Sequence, residues 1–408
     1  MSAFKLLALL SPLLLAPLAF AEQCKTEESV TTFGSWFASG ARLTAAKPFQ
    51  SIQAQAAQGP ADSMKLRLEV ASGRDRQWHV LIYDPDYRVL ASLGPDDFSD
   101  ERGELTQSRW TGRMFHDLVQ VELVTARPDS DIVIKIPTGI ALPKESSDQR
   151  VYSAQNASNP RWRKLFPDNR GTSATLPRKA GAKIGMLMTG LQVPGGGKSA
   201  WCCSVVMIGR DLALTNWHCG GDNGWMQAAD YWEGNVCANA TLDLAWDGGD
   251  VRRQYNCTGV VVKNELLDFA VLRVKPVVGT GGLAGEPVYE RLSSTPSATL
   301  GDVFVVHHAL CQTKQVSDKC RIGSLNYANW LNDSSQTELT HNCDTEHGSS
   351  GAGVFDAKGK LVGLHHLGFR RDPQSCEEQD KLNKAVPLTR IIDHIKANTP
   401  ELAKELGL

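Results

Sequence analysis

Residues 343–353 read CDTEHGSSGAG. Two serines stand between Gly348 and Gly351, with Cys343 seven residues and Asp344 six residues before Ser350. Glycines on both sides let the backbone turn tightly and let another molecule approach Ser350 closely. A serine hydroxyl is a poor nucleophile at neutral pH. Acyl transfer therefore needs a base to take its proton, an acid to hold that base in the right tautomer, and donors for the oxyanion. The chain offers each of these. In LALTNWHCGG (212–221) a β-rich run delivers His218 directly before Cys219, where a disulfide would fix the backbone that carries the imidazole. In ELLDFAVLRV (265–274) Asp268 begins an apolar run, so its carboxylate enters the interior with the strand and needs a partner such as His218 Nδ1. The amides of Gly348 and Ser350 are placed to point at one developing oxyanion. Asp243, Asp247 and Asp250 in LDLAWDGGD compete with Asp268 for the acid's role, but their polar, turn-like stretch predicts exposure.

Working outward, 408 residues exceed what one core usually supports, which favours two folded units. Lys and Arg number 43 against 45 Asp and Glu, interspersed, for a formal net charge of −2. That balance gives no electrostatic case for nucleic acid or an anionic membrane as the partner. The first residues, MSAFKLLALLSPLLLAPLAFA, have a basic start at Lys5, an apolar run broken by Pro12 and Pro17, and Ala19 and Ala21 at the small positions. They read as a signal peptide over 1–21, cleaved before Glu22, rather than as an anchor, so the chain is expected to be secreted or periplasmic with no membrane insertion after cleavage. Ten cysteines in an exported chain read as up to five disulfides. Their spacings contain no paired CxxC knuckles, so no metal is expected and no cofactor is called for.

Between about 60 and 136 short β-type runs such as MKLRLEV, WHVLIYDPDYRVLASL and LVQVELVT alternate with turn signals, Asp84-Pro85-Asp86 among them. This spacing predicts a small antiparallel sandwich, assigned to 22–136. Residues 137–182 turn proline-containing, polar and basic (Arg161, Arg163, Lys164, Arg170, Arg178, Lys179), the composition of a linker open to proteolytic processing. From 183 to 408 β-type runs resume, and Leu388, Ile391, Ile392 and Ile395 predict one amphipathic helix closing an otherwise all-β unit.

Residues 183–398 resemble the chymotrypsin-like serine endopeptidases of the trypsin fold. LTNWHC is similar to that family's T-A-x-H-C, LDFAVLRV to its D-I-A-L-L strand and GSSGAGVF to its G-x-S-G-x-P segment. Within the family the likeness is closest to bacterial secreted lysyl endopeptidases, through HCGG, YWEGNVC, VHHALCQTKQVS, GSSGAGVFDAKGKLVGLHH and QSC in the same order. Residues 60–136 resemble more loosely the pro-region sandwiches of such proteases, including their YDPDG turn, here YDPDY. The resemblance implies an all-β chain with a trypsin-like double β-barrel and C-terminal helix, preceded by the sandwich as a pro-region or accessory domain. It also implies hydrolysis of proteins or peptides by Ser350, His218 and Asp268 with Gly348 and Ser350 as oxyanion donors. The rival from another class is a binding protein that keeps the fold with an inert triad.

Asn216 and Gly353 depart from the family's alanine and proline, and neither removes a reacting atom. Ser349 stands where vertebrate-type members carry an aspartate that pairs with the new N-terminal ammonium; a serine cannot form that pair, so control by the pro-region must work another way. For specificity the resemblance offers Asp344, at the trypsin-type pocket position, and Asp380 in DKLNKAV, where lysyl endopeptidases keep their lysine-binding acid. Both predict Lys or Arg at P1. His365 stands where glutamyl endopeptidases bind an acidic P1 side chain, which keeps Glu or Asp as the alternative. The implied bridges are Cys203 or Cys202 with Cys219, Cys343 with Cys376, Cys311 with Cys320 and Cys237 with Cys257, with Cys24 joined to whichever of Cys202 and Cys203 remains.

Overall fold

The computed structural model describes residues 35–54, 61–99, 102–105, 108–143, 162–165, 175–192, 198–220, 237, 240–246, 253–277, 287–293, 298–329, 335–368 and 383–408. Two four-stranded sheets form the N-terminal unit. One runs Ser35–Thr44, Val133–Pro143, Ala61–Ser72, Arg109–Trp110, and the other Phe49–Gln53, Leu118–Thr125, Trp78–Tyr83, Val89–Leu93, in the order of pairing. Alternation along these strands sends Leu43, Met64, Leu66, Leu68, Val80, Ile82, Val119 and Val121 into one shared core. The first two strands lie before the run recognised in the sequence. Gly40 sits at φ +63° in a register shift between Ala38 and Ala41, and that bulge breaks the alternation by which a strand is read. The turn at Asp84 forms as expected: its carboxylate accepts the amides of Asp86 and Arg88, and Tyr87 takes φ +62°, a left-handed conformation that favours glycine.

Two closed six-stranded barrels make up the second unit. The first cycles through Ile184–Gln192, Lys198–Met207, Leu212–Thr215, Phe269–Pro276, Gln254–Asn264 and Thr241–Asp243. The second cycles through Asp302–His307, Gly353–Asp356, Leu361–Leu367, Asn383–Pro387, Gln336–His341 and Gln315–Ala328, which returns to the first of these. The fold is trypsin-like. Each barrel has its own interior, and a third apolar cluster fills the seam between them. Val206, Leu214, Phe269 and Val271 come to it from one side and Val306, Phe355, Leu364 and Val386 from the other.

Leu388, Ile391, Ile392 and Ile395 are buried in that seam, as their spacing predicted, but the helix is two: Leu388–Asn398 and Pro400–Leu406. Pro400 lacks an amide hydrogen and disfavours helical backbone at Thr399, which lies at φ −140°, ψ 68°. The expected linker also holds ordered structure. The sandwich strand runs on to Pro143, and Trp162–Lys164 pairs with Gln315–Ser317 as an added strand of the second barrel. The helix Leu176–Gly181 presents the Gly181 carbonyl to the buried Lys314 ammonium at 2.8 Å.

Among the described residues, four disulfides join Cys202 to Cys311, Cys203 to Cys219, Cys237 to Cys257 and Cys320 to Cys343. The second and third match the expected pairings. The bridges Cys311–Cys320 and Cys343–Cys376 are corrected, because Cys311 lies against the first barrel and Cys320 meets Cys343 just past the end of the neighbouring strand Gln336–His341. With both Cys202 and Cys203 engaged, a bridge from Cys24 to either is excluded; Cys24 and Cys376 lie outside the described residues. The Cys202–Cys311 bridge closes a 109-residue separation and ties the two barrels covalently. Cys202→Ser with Cys311→Ser is expected to lower the stability of the barrel unit by about 3 to 5 kcal/mol, read as a shift of its urea midpoint at unchanged slope, with peptide mapping of the unreduced parent confirming the four pairs.

Candidate active site

Three loops converge at the barrel seam. His218 follows the strand Leu212–Thr215, and the bridge from Cys203 to Cys219 pins the residue next to it. Asp268 precedes the strand Phe269–Pro276, which pairs directly with the histidine's strand through Thr215 and Ala270. It is fully buried and held at φ +43°, unusual for a side chain with a Cβ. Asn216 explains how that is sustained, since its Nδ2 donates to the Asp268 carbonyl at 2.8 Å.

The Asp268 carboxylate receives three donors. The His218 amide reaches Oδ1 at 2.9 Å, while His218 Nδ1 and His366 Nδ1 lie 2.7 and 3.0 Å from Oδ2. Burial opposes its ionisation, but the charge and hydrogen bonds of His218 and then His366 outweigh that and hold the group well below the usual carboxylate range. His366 is itself buried, with Glu338 Oε2 3.5 Å from its Nε2. Burial works against the imidazolium, yet Glu338 and Asp268 together raise its pKa to about 9. A protonated His366 between two carboxylates is thus part of the site at neutral pH. The sequence carried a signal for it: in the strand LHH, neighbouring residues point to opposite faces, so His365 and His366 serve different surroundings.

Ser350 sits in a turn built on close approach. Its carbonyl accepts the Ser204 amide at 2.7 Å. Gly351, at φ +82°, packs where an added Cβ would lie 2.1 Å from the Ser204 carbonyl and 2.5 Å from Thr215 Oγ1, so only glycine lets the serine loop touch the histidine strand. The Ser350 hydroxyl donates to the His366 carbonyl at 3.4 Å, and no hydrogen bond joins it to His218 among the described residues. Such contacts are commonly long in free enzymes and tighten with substrate. Residue 366 therefore touches the serine through its carbonyl and the acid through its ring. Gly348, at φ +89°, lies against the His308 carbonyl, Cys202 Sγ and the Cys311 amide. Among the described residues the amides of Gly348 and Ser350 donate no hydrogen bond, which suits donors reserved for an oxyanion.

Of the competing acids, Asp243 is corrected from exposed to fully buried; it accepts the Ala245 amide at 2.8 Å, and it is Asp268 that contacts His218. Asp247 and Asp250 lie outside the described residues, as does Asp380. Asp344 is buried, directly after the Cys320–Cys343 bridge, and its carbonyl accepts Ser317 Oγ at 2.6 Å. His365 Nδ1 lies 3.1 Å from His341 Nε2. Burial drives both rings toward the neutral form, His341 to about 3 and His365 also well below its ordinary value. Ser349 Oγ lies 2.7 Å from His307 Nδ1, a neutral contact where an ion pair would need an aspartate. Cys203, His218 and Cys219 cluster closely enough to suggest a metal site, but both sulfurs are in a disulfide and offer no thiolate.

His366→Gln removes a cation beside Asp268, so His218 faces a less neutralised carboxylate. His366 gains its raised pKa on folding, so its contribution to stability is fully present below pH 6.5 and lost as pH rises through about 9. Parent and variant melting temperatures should accordingly converge across that window, and parallel curves would contradict the assignment.

Comparison with known proteins gives one family match and several distant solved structures. Residues 203–364 match the family described as trypsin-like peptidase domain. No curated protein matches the chain. Among solved structures, the active form of the Rv3671c protease from M. tuberculosis is 15% identical, with a TM-score of 0.38 over 59% of this chain and 91% of that one. An inactive mutant form of Rv3671c from M. tuberculosis H37Rv gives the same identity and score over 59% and 96%. The serine endoprotease from Yersinia pestis is 16% identical, with a TM-score of 0.36 over 54% of this chain and 64% of that one. The match places a trypsin-like peptidase domain over residues 203–364, within the second unit.

Proposed function

We propose that this chain is an exported serine endopeptidase that works through Ser350, His218 and Asp268 and cleaves proteins or peptides after Lys or Arg. The observation that carries the triad is the buried Asp268 carboxylate bonded to both the amide and Nδ1 of His218. With Nδ1–H committed to Asp268, Nε2 is left unprotonated to accept the Ser350 proton as Oγ attacks the scissile carbonyl. The amides of Gly348 and Ser350 receive the oxyanion, each such donor being worth about 10²–10³ in kcat. His218 then passes the proton to the leaving amine, and water resolves the acyl-enzyme by the same steps reversed. Export is supported by the apparent leader over 1–21 and by four disulfides in the described residues, and no helix there is long and apolar enough to cross a membrane.

For the basic P1 residue the support is Asp344, a buried acid six residues before Ser350, with Asp380 as the second candidate. A buried carboxylate beside the substrate attracts a cationic side chain and repels an acidic one, more strongly than the same group would in water. The His365–His341 pair favours a second reading. Two neutral imidazoles in contact would take up a proton when an acidic side chain arrives, which would suit Glu or Asp at P1.

Incubating the exported protein and Ser350→Ala with a mixed peptide library, with cut sites identified by mass spectrometry, separates these readings. Cuts after Lys or Arg that vanish in the variant are expected. Asp344→Asn should lower kcat/KM on those peptides about a hundredfold or more, and an unaffected Asp344→Asn with a crippled Asp380→Asn would move the pocket to Asp380. Cuts after Glu would hand the pocket to His365. His218→Ala should lower kcat by about 10⁴–10⁶.

A further inference from the structure

The sandwich does not merely precede the catalytic unit; it is docked on it through matched polar groups and a shared apolar cluster. Lys65, in the strand Ala61–Ser72, is fully buried and donates to Thr241 Oγ1 at 2.7 Å. Burial brings its ammonium down to about 7, with Asp243 opposing that fall and Arg113 adding to it. The edge strand Arg109–Trp110 meets an amide that satisfies both its groups: Trp110 N donates to Asn256 Oδ1 at 3.0 Å, and Asn256 Nδ2 donates to the Trp110 carbonyl at 3.2 Å. An exposed strand edge invites pairing with other chains, and here one side chain occupies it. The Arg113 amide donates to Gln254 Oε1 at 2.9 Å, and its guanidinium lies 3.9 Å from the Trp246 ring centroid. Around these, Trp110, Ile140 and Leu142 of the sandwich pack with Met186, Met188, Cys202, Trp246 and Cys311 of the catalytic unit. Permanent interfaces are apolar at their centre in this way, whereas surfaces meant to part are more polar.

What lies behind that cluster gives it a function. The Cys202–Cys311 bridge is part of it, and Trp246 Nε1 donates to the Cys311 carbonyl at 3.1 Å. The turn that carries Cys311 is strained, with Leu310 at φ +54° and Cys311 at φ +57°. Gly348 rests directly on this assembly: an added Cβ there would lie 2.4 Å from the His308 carbonyl, 2.8 Å from Cys202 Sγ and 3.1 Å from the Cys311 amide. Leu310 N donates to the His347 carbonyl at 2.5 Å, and Ser204 Oγ donates to the Gly348 carbonyl at 2.8 Å. An oxyanion donor is thus seated on a disulfide whose opposite side is covered by the sandwich. The docking contacts named above fall on no candidate site residue.

We propose that the sandwich is a permanent buttress of the oxyanion loop: docked, it holds the Cys202–Cys311 bridge and the strained turn against Gly348, and without it the catalytic unit keeps Ser350 but loses the aim of the Gly348 amide. This rests on the reading of Ser350 as the nucleophile. It departs from the pro-region role that the resemblance implies, since cleavage between the units would leave them associated.

The test uses the full chain carrying Cys24→Ser and Cys376→Ser, so that no disulfide can join the pieces, with a recognition site for a sequence-specific processing protease inserted at residue 150. After nicking, the parent's two pieces are expected to co-elute in gel filtration, with kcat within twofold of the intact chain. Lys65→Glu with Arg113→Glu sets two acids against Asp243 and Trp246, so its nicked pieces should separate. Its kcat should then fall about a hundredfold with KM little changed, the size of one lost oxyanion donor. Labelling of Ser350 by a fluorophosphonate should slow by a similar factor. Separated pieces that retain the parent's kcat would overturn the proposal, as would parent pieces that part spontaneously or a double variant that stays docked with full activity. If circular dichroism shows the double variant unfolded, Trp246→Phe keeps an aromatic ring but deletes the bond to the Cys311 carbonyl; a several-fold loss of kcat at constant KM is expected, and an unchanged kcat overturns the proposal. A parent whose Ser350 is never labelled would instead defeat the nucleophile reading itself, while leaving the co-elution result to stand.

Discussion

A carboxylate with no access to water is costly unless every lone pair that matters finds a donor. Asp268 meets that condition only because donors reach it from both barrels. The amide and Nδ1 of His218 belong to the first barrel, while Nδ1 of His366 belongs to the strand Leu361–Leu367 of the second. Neither barrel alone can satisfy the acid. The seam must therefore be closed for the group to stay ionised, and a closed seam brings the Ser350 loop beside the histidine strand. One electrostatic requirement thus couples the assembly of the fold to the assembly of the site.

The same seam is fastened twice more, by means of different range. The Cys202–Cys311 bridge crosses it covalently, and the apolar cluster of Val206, Leu214, Phe269, Val306, Phe355 and Leu364 fills it without direction. Apolar contact holds surfaces together but does not fix ångström-scale register; hydrogen bonds and the absence of a side chain at Gly351 do. His366 adds charge to this. An imidazolium held between Asp268 and Glu338 lets two buried acids coexist, since the cation screens each from the other. His218 consequently bonds to a carboxylate that a second imidazole also holds, and that second imidazole lies on the strand of the other barrel.

Local patterns made much of this legible. The glycines around Ser350, the β-run ending in His218-Cys219 and the acid opening an apolar strand each state a constraint within a few residues of chain, and the structure joins His218 and Asp268 as they suggested. The helix break at Thr399-Pro400 was equally local and was masked by the regular spacing of Leu388, Ile391, Ile392 and Ile395 before it. Disulfide partners are a different matter. Cys320 pairs with Cys343 because two strands are neighbours in a barrel, and Cys202 pairs with Cys311 because two barrels meet; sequence separation carries neither fact. His366 was in plain view, yet its role depends on which face of its strand meets Asp268.

Lys65 shows most clearly where sequence reasoning fails. In MKLRLEV the alternation assigns Met64, Leu66 and Leu68 to the core, correctly, and by the same rule gives Lys65 to solvent. The rule assumes that the second face of a sheet is wet. Here that face is covered by another unit of the same chain, so the lysine is buried and must find Thr241 and the field of Asp243 instead. Asp243 was misread as exposed for the complementary reason, its polar surroundings suggesting a free turn. Each residue looks ordinary alone, and each is costly where it stands without the other's unit in place. A polar pair of this kind adds little net stability over an apolar one, but it penalises every wrong seating of sandwich on barrel. Orientation, more than strength, is what a buttress behind an oxyanion loop requires, because an amide misaimed by an ångström has lost most of its use.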